Sequence, residues 1–455
     1  MNYAARRLRA VGLALLPRHP AQAIAIGFGL AIVFGTAVLM LPVAKSGPGG
    51  ASLLEALFTA TSAVCVTGLA TVDTATYWTP LGQVIILILI QLGGFGVMSF
   101  ASLLGVLMAR RLGLRSKMQA AAETKSAGIG DVRSMLLGIV RITVLVELAV
   151  ALALALRFGF GYGYSVGHAA WLGLFHSVSG FNNAGFALFS GNLMDFVADP
   201  WICLPIAGAI IIGGLGFPVL FELGRHYRVP LHWSMNTKLV LAGSGILLAV
   251  GTVFISALEW DNPNTLGPLP TGAKVLAGFF QSVVTRTAGF NSVDLAHMDP
   301  ATWLGMDVLM FIGGGPAGTA GGLKITTFGV LFFILLTEIQ GGAAVNVFGK
   351  RLPRSVHRQA ITIVLLAVAL IIGSTMALML MTELDFDQLF FETISAFATV
   401  GLSTGITASL PSAGQLLLVF LMFVGRLGPV TLASALALRS RTLLYEYPKE
   451  RPLIG

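Results

Sequence analysis

Four short segments of the chain repeat one pattern, and the chemistry that this pattern suits is the binding of cations by backbone carbonyl groups. The segments read FTATSAVCVTGLA, FHSVSGFNNAGFA, FFQSVVTRTAGFN and FETISAFATVGLS, so a phenylalanine stands ten residues before a glycine in each. Glycine allows the positive φ angles that turn carbonyl oxygens inward, and a ring of carbonyl oxygens can replace the hydration shell of an ion. One such glycine would be an ordinary packing residue in a chain with 55 glycines, but four in register favour an ion filter.

The residues assigned to this filter are the last three of each pattern, ending at the glycine. They are Val66, Thr67, Gly68, Asn183, Ala184, Gly185, Thr287, Ala288, Gly289, Thr399, Val400 and Gly401. The glycines are 117, 104 and 112 residues apart, which indicates an internal repeat. Before the glycines lie amphipathic stretches, each predicting a helix that crosses only half of a membrane, at 51–63, 168–179, 272–283 and 386–396. The carboxyl-terminal dipoles of such helices favour cations.

A second unusual segment, GGGPAGTAGGLK at 313–324, interrupts an otherwise apolar stretch. Its glycines and proline exclude a continuous α-helix. The flanks, 302–312 and 324–337, are each too short to cross a bilayer alone, so the break is expected at membrane depth, where irregular backbone lines a cavity or is buried. The alternative interpretation is a flexible connection between two helices. Similar segments with fewer glycines occur in other apolar stretches, at 93–99, 213–219 and 425–431.

Three basic residues accompany these segments. Arg426 falls within an apolar stretch and is expected to contact the 313–323 loop, although it could instead hold two helices together through backbone carbonyls. Arg286 is placed behind the filter wall, bonded to carboxylate or carbonyl groups, because a cation in the path would repel the ion. Lys324 is interpreted either as a functional part of the 313–323 loop or as a residue whose ammonium group reaches the water at the membrane interface. The amides of Asn182, Asn183 and Asn291 are expected to buttress the filter.

The composition decides in what environment these segments lie. Hydrophobic residues make up 56% of the 455 residues, charged residues 11%, and the mean hydropathy is +0.86. Such a chain cannot cover a water-facing surface, so it is predicted to be an integral membrane protein. Two cysteines exclude a disulfide framework. The sequence contains no Walker A or HExxH motif. Of its two GxSxG matches, GYSVG at 163–167 directly precedes the second amphipathic stretch and GLSTG at 401–405 begins at the glycine of the fourth pattern, so no enzymatic activity is expected.

Eight uncharged or nearly uncharged stretches are long enough to cross a bilayer as helices. They are 21–41, 79–109, 134–156, 200–221, 238–258, 302–337, 360–381 and 413–438. Segments on one side of these spans hold 21 of the 28 Lys and Arg with six acids, a net charge of +15, against −7 for the rest of the chain. The positive-inside rule places that side, with both termini, in the cytoplasm. The predicted fold is an all-α integral membrane protein of eight transmembrane helices, arranged as four span–pore-loop–span repeats around one central pore.

With its four glycine-ended loops, the motifs SGFNNAGF and TRTAGFN and the broken sixth span, the chain resembles the Trk/Ktr/HKT superfamily of potassium transporters, most closely the Ktr-type membrane subunit. The resemblance covers nearly the whole chain. It implies K+ uptake across the cell (inner) membrane, and a glycine in all four filters is the pattern that the family associates with potassium. It also implies that the broken sixth span is the gate, formed by Gly313, Gly314, Gly315, Pro316, Ala317, Gly318, Thr319, Ala320, Gly321, Gly322, Lys324 and Arg426.

The same resemblance implies the partners. They are a second copy of the chain in a homodimer, a KtrA-like cytoplasmic ring of nucleotide-binding regulatory subunits, and the lipid bilayer; nucleic acid is not expected. No covalent cofactor is implied, K+ is the substrate, Na+ is a candidate activator, and nucleotide is bound only by the regulatory ring. The predicted organisation is a cytoplasmic N-terminus at 1–20, repeat 1 at 21–109, a cytoplasmic loop at 110–133, repeat 2 at 134–222, repeat 3 at 236–340 with its gate loop at 313–323, repeat 4 at 355–438 and a cytoplasmic C-terminus at 439–455.

Three other functions compete with potassium uptake. A sodium-selective or Na+-coupled member of the same superfamily is the main alternative. An ion-coupled carrier of organic solutes would also use broken helices, but such carriers show two inverted repeats and intramembrane acids, whereas here the copies number four and Glu147 is the only deep carboxylate. A membrane enzyme is disfavoured because no nucleophile, base or metal set converges in the sequence.

Overall fold

The computed structural model describes residues 20–111 and 129–428, and nearly all of the regular structure in these ranges is α-helical. The apolar helices that build the body of the protein are α1 (Pro20–Leu39), α4 (Pro80–Arg111), α5 (Ile129–Leu156), α7 (Pro200–Leu215), α9 (Met235–Glu259), α11 (Pro300–Phe311), α12 (Ile325–Ile339), α13 (Arg354–Met381) and α15 (Ser412–Leu427). Several of them begin at a proline, which is tolerated in the first turn because the N–H that it lacks would have no partner there.

Four shorter helices precede the glycine patterns. They are α2 (Leu53–Val64), α6 (Val166–Phe181), α10 (Thr271–Val284) and α14 (Phe386–Phe397). Their ends lie within two residues of the amphipathic stretches predicted from the sequence. A capping box fixes the start of α2, since the hydroxyl of Ser52 accepts from the N–H of Glu55 at 3.3 Å and the Glu55 carboxylate accepts from the N–H of Ser52 at 2.9 Å. The carboxyl-terminal halves of all four are buried in the core, which brings the segments after them to the centre of the molecule.

The remaining elements are small. They are a helical turn, α3 (Thr74–Tyr77), a helix α8 (Phe217–His226), a π-helical turn (Arg157–Gly161), four 3-10 turns (Met194–Phe196, Pro230–His232, Leu295–His297 and Thr407–Ser409), and an antiparallel hairpin of β1 (Asn346–Val347) and β2 (Lys350–Arg351). The hairpin lies between α12 and α13 and packs its Val347 into a small apolar cluster with Leu239 and Val330.

The predicted fourth span, 200–221, is wrong as a continuous helix. The helix ends at Leu215, and α8 continues after Gly216 at an angle of 97°. Gly216 has a φ of +90°, which an L-residue with a side chain rarely adopts. Gly428, at the corresponding place in the last span, has a φ of +82° and ends α15; the predicted continuation of that span to 438 lies outside the described residues. The break predicted at 313–324 is present, between Phe311 and Ile325.

The apolar helices have the length and surface of a membrane protein. Within the described ranges, three are long and apolar enough to cross a bilayer, Ser134–Gly161, Met235–Glu259 and Arg354–Met381, and the bent pair Pro200–Leu215 and Phe217–His226 would be a fourth. Five shorter apolar helices are Ile24–Leu39, Leu53–Val64, Pro80–Gly96, Ile325–Ile339 and Ser412–Leu427. Large apolar side chains such as Val33, Phe34 and Leu145 are about two-thirds exposed, as expected for surfaces that face lipid.

Candidate functional site: a ring of four glycine loops

The four pattern glycines meet in a closed ring, called here the glycine ring. A Cβ atom added to any of them would lie less than 3.0 Å from the carbonyl oxygen that precedes the next glycine in the chain: Gly68 faces Ala184, Gly185 faces Ala288, Gly289 faces Val400 and Gly401 faces Thr67. Such a distance is shorter than real Cβ contacts allow, so only glycine fits. The four segments therefore surround one axis in chain order, and the last closes against the first.

The backbone of the ring is strained in the same way four times. The glycines have φ angles of +93°, +68°, +73° and +97°, and the residues two positions earlier are also positive, namely Val66, Asn183, Thr287 and Thr399. Three of these four are β-branched, for which a positive φ is a genuine outlier. The residue between each pair does not have a positive φ. This alternation of positive and negative φ lets neighbouring peptide groups of one segment point to the same side of its backbone. Strained backbone of this kind persists only where the surrounding structure imposes it.

Hydroxyl groups of the short helices hold two of the ring glycines directly. The N–H of Gly68 donates to the hydroxyl of Ser62 at 3.0 Å, and the N–H of Gly401 donates to Ser395 at 3.1 Å. In the second repeat the hydroxyl of Ser179 donates instead to the carbonyl of Phe186 at 2.8 Å. The third repeat has Val283 at this position and lacks the contact. The sequence pattern contained these serines, but their role becomes visible only from the contacts.

Two further residues were missed from the sequence and stand nine positions before a ring glycine. The Nε2 of His176 accepts from the N–H of Leu188 at 3.3 Å while its Nδ1 lies 2.8 Å from the carbonyl of Leu172. The carboxylate of Glu392 accepts from the hydroxyl of Thr407. Both side chains are fully buried and connect a short helix to the segment that follows its ring glycine. Aligning the four repeats places them in the same column, which is the signal that could have identified them. The expectation that Glu147 is the only deep carboxylate is therefore wrong, because Glu392 is another buried carboxylate.

The 313–323 loop is held by the broken helix of the second repeat. The N–H groups of Gly315 and Thr319 donate to the carbonyls of Gly214 at 2.8 Å and Gly213 at 3.1 Å, and the N–H of Phe217 donates to Ala317 at 3.3 Å. A helix ends with carbonyls that lack partners inside it. The break at Gly216 thus supplies the groups that the irregular loop needs, since buried backbone must be hydrogen-bonded.

The same loop lies directly against the glycine ring. The hydroxyl of Thr319 donates to the Oδ1 of Asn183 at 3.2 Å, and a Cβ at Gly321 would overlap the side chain of Thr399. A Cβ at Gly313 would lie 3.4 Å from the methyl group of Thr287. The loop therefore touches three of the four segments that were predicted to form the filter.

Basic side chains bind the loop through its carbonyls. Arg426 donates from Nη1 to Thr319 and from Nη2 to Gly93 at 3.3 Å, so the contact expected between this arginine and the loop is present, and a bond to a second helix accompanies it. Lys324 donates to Ala320 at 2.5 Å and Gly321 at 3.5 Å, which favours its assignment to the loop machinery over the interface.

Arg286 lies behind the ring. Its Nη2 donates to the hydroxyl of Ser244 at 3.0 Å and to the carbonyl of Gly313 at 3.5 Å. The expectation of carbonyl contacts is met. Within the described ranges no carboxylate lies within 4.0 Å of Arg286, Lys324 or Arg426, so their hydrogen bonds go to backbone and hydroxyl oxygens, and the Nε atoms of both arginines are buried without a partner.

The asparagines form supports around the second filter segment. The amide of Asn182 donates to Gln91 at 2.8 Å and to the Glu147 carboxylate at 3.1 Å, and Asn183 donates to the hydroxyl of Thr287 at 3.5 Å. The amide of Asn291 donates to the carbonyl of Val293 at 3.3 Å. Within the described ranges no group of three or more His, Cys, Asp and Glu side chains could hold a metal ion.

Apolar helices around a central ring of backbone carbonyls define an all-α membrane transporter. The chain matches the TrkH family model, described as "Cation transport protein", over residues 24–443, and it belongs to this family. It is 40% identical to "Ktr system potassium uptake protein B" of Vibrio alginolyticus, over 94% of this chain and 93% of that protein, and equally identical to the protein of that name from Bacillus subtilis (strain 168), over 92% and 93%.

Two further similarities extend this result. The chain is 32% identical to "Potassium/sodium uptake protein NtpJ" of Enterococcus hirae, over 96% of this chain and 97% of that protein. Among solved structures, the potassium transporter TrkH from Vibrio parahaemolyticus superimposes with a TM-score of 0.72, over 93% of this chain and 86% of that one. At 17% identity the structural match supports the fold alone.

Proposed function

We propose that the chain is the ion-translocating subunit of a potassium uptake system in the cell (inner) membrane. The observation that carries this proposal is the closed ring in which four segments present strained, alternating backbone around one axis. Carbonyl oxygens in such a ring can take the place of the water around a K+ ion. Relatives that match nearly the whole chain are named as potassium uptake proteins, which supports the choice of ion.

In this proposal the twelve filter residues predicted from the sequence coordinate the ion, and the 313–323 loop is the gate. The loop lies against three filter segments and is fixed by bonds that a modest movement would break, chiefly those of Arg426, Lys324 and the helix end at Gly213 and Gly214. Its glycines allow a second conformation at small cost. Opening would then be a shift of this loop between two states while the ring stays unchanged.

The wider architecture belongs to the same proposal. Eight spans, counted with the broken sixth, surround the ring as four repeats, with both termini in the cytoplasm on the +15 face. The membrane potential drives uptake, at ~2.3 kcal/mol for each charge per 100 mV. The chain acts as a homodimer on a cytoplasmic ring of nucleotide-binding subunits, and Arg351, Arg354 and Arg358 are available to an acidic docking surface.

A second candidate is a sodium-permeable or Na+-coupled transporter. The name of the Enterococcus hirae relative, "Potassium/sodium uptake protein NtpJ", favours it. The glycine at all four ring positions argues against this candidate, because sodium-selective members of the family that the chain resembles carry serine in the first filter.

Ion flux into liposomes that contain the purified chain decides between them. With an inward gradient of one ion at a time, we expect 86Rb+ or K+ uptake to exceed Na+ uptake by at least tenfold. Empty liposomes and liposomes with a Gly289→Ser variant are the controls. Equal K+ and Na+ uptake by the wild-type protein would support the second candidate. No flux of either ion above the empty liposomes, both for the wild-type chain and for a variant in which the gate is opened by deleting 317–320, would refute both.

A further inference from the structure

A cavity beside the first turn of α12, directly after the 313–323 loop, has the chemistry of a lipid site. Its volume is about 420 Å³, and it lies between the first turns of α9, α12 and α13 and the β-hairpin. Leu239, Val330, Val356 and Ile363 line its interior, and Lys350 and Arg351 stand at its rim. The volume falls in the range of small-molecule sites.

The positive charges at the rim of the cavity have no acidic side chain beside them in the described part of the chain. Lys350 and Arg351 are exposed, no acidic residue lines the cavity, and neither has a carboxylate within 4.0 Å within the described ranges. Next to them, at the turn of the hairpin, the ring of Phe348 is 49% exposed. An apolar interior, a basic rim and an exposed aromatic residue together match a molecule with an acyl chain and an anionic head.

We propose that this cavity binds an anionic phospholipid of the cytoplasmic leaflet, with an acyl chain between α9, α12 and α13 and the phosphate at Lys350 and Arg351. The cytoplasmic assignment rests on the proposed topology, in which the first turns of α9 and α13 follow basic loops. Basic pockets between transmembrane helices on that side are suited to anionic head groups.

The position of the cavity connects the lipid to the gate of the proposed function. Thr326 and Thr327 line it and form the first turn of α12, which starts directly after Lys324. The N–H of Ile325 donates to the carbonyl of Gly314 inside the loop at 3.0 Å. An acyl chain packed against this turn therefore favours the position of α12 in which Ile325 is hydrogen-bonded to the loop. When the lipid leaves, that side of α12 loses its packing and the helix can move.

The test is the affinity of the purified full-length chain for phosphatidylglycerol, measured by native mass spectrometry from mixed micelles, with phosphatidylcholine as the reference lipid. We expect one phosphatidylglycerol to bind more tightly than phosphatidylcholine. The double variant Lys350→Gln, Arg351→Gln should weaken it about 30-fold, because each basic residue near an anionic group contributes ~1 kcal/mol. Gln359→Trp, an exposed position at the cavity, should weaken both lipids by filling the space for the chain.

The matched control is Arg225→Gln, Arg228→Gln, which removes two charges from the same face away from the cavity. It should change phosphatidylglycerol affinity less than threefold. Unchanged affinity in the Lys350, Arg351 variant overturns the proposal, and so does an equal loss in the control, which would mean attraction to net charge alone. Neither readout involves ion flux, so failure here is distinct from failure of the proposed function.

Discussion

The third repeat differs from the other three in how its second apolar helix meets the glycine ring. In repeats one, two and four a glycine of that helix, Gly93, Gly213 or Gly425, packs so closely on a carbonyl that a Cβ would overlap it. The carbonyls belong to Val64, Phe181 and Phe397, and each stands four residues before a ring glycine.

In the third repeat this contact is absent. Gly313 packs instead on Gly321 and Leu323 of its own loop, and the helix is interrupted. In the other three repeats the glycine of the apolar helix packs directly on the end of the short helix. In the third repeat a loop that is held mainly by hydrogen bonds takes the place of this contact. In the proposed function this difference corresponds to two roles: the ring, common to all repeats, would set the ion selectivity, and the loop, present in one, would set the amount of flux.

The largest effect is expected at the ring. Replacing Gly68, Gly185, Gly289 or Gly401 by Ser introduces a Cβ that overlaps the neighbouring carbonyl and imposes a positive φ on a residue with a side chain. We expect the K+ over Na+ flux ratio to fall by about tenfold, the result of ~1.4 kcal/mol lost in K+ coordination. Gly208→Ser is the control, because a Cβ there has no neighbour within 4 Å. Unchanged ratios in all four ring variants would refute the filter assignment.

The second largest effect is expected on K+ flux, while the K+ over Na+ flux ratio stays unchanged. Deleting 317–320 removes the loop residues bonded to Arg426, Gly213 and Asn183. We expect K+ flux in proteoliposomes to rise by up to about tenfold if the closed state loses ~1.4 kcal/mol, and dependence on the regulatory subunit to weaken. A deletion protein that folds, binds the regulatory ring and conducts no more than wild type would contradict the gate.

Arg426→Ala should act in the same direction but less strongly. It removes the donors to Thr319 and Gly93 while the obstructing backbone stays in place. Arg426→Lys is the matched control: it keeps the charge, but an ammonium group lacks the planar fork that bridges two carbonyls, so intermediate flux is expected. If Arg426→Ala changed the K+ over Na+ ratio more than the flux, the proposed division between ring and loop would be wrong.

The smallest effect concerns the serines behind the ring. Ser62→Ala and Ser395→Ala each remove an acceptor from a ring N–H, which should cost about 1 kcal/mol of stability and lower the melting temperature by a few degrees. Ser409→Ala, which removes a bond in an outer 3-10 turn, should leave the K+ over Na+ ratio unchanged, and the two ring variants should lower it slightly.

Adding the hydroxyl to the third repeat with Val283→Ser should gain little, since the N–H of Gly289 already donates to Val284 at 3.4 Å. A large gain in K+ over Na+ ratio from this variant would mean that the serines, more than the backbone contacts, define the ring.

Local features of the chain could be predicted from its residues. The fourfold pattern, the short helices before each glycine and the break at 313–324 follow from spacing and from the helix-breaking chemistry of glycine and proline, which act within a few residues. Arg426 could be singled out because a charge in an apolar stretch requires partners. The glycines could also be assigned to positive φ, since no other residue adopts it at so little cost.

Contacts between distant parts of the chain were decided by the tertiary structure. The order in which the glycines close the ring, the bonds of Arg426 to residues 107 and 333 positions away, and the supports at His176 and Glu392 all join elements that no local pattern relates. The bend at Gly216 belongs to the same group. Composition favoured a continuous span there, but the carbonyls freed by the bend accept hydrogen bonds from the loop of another repeat, whose buried N–H groups would otherwise lack these partners.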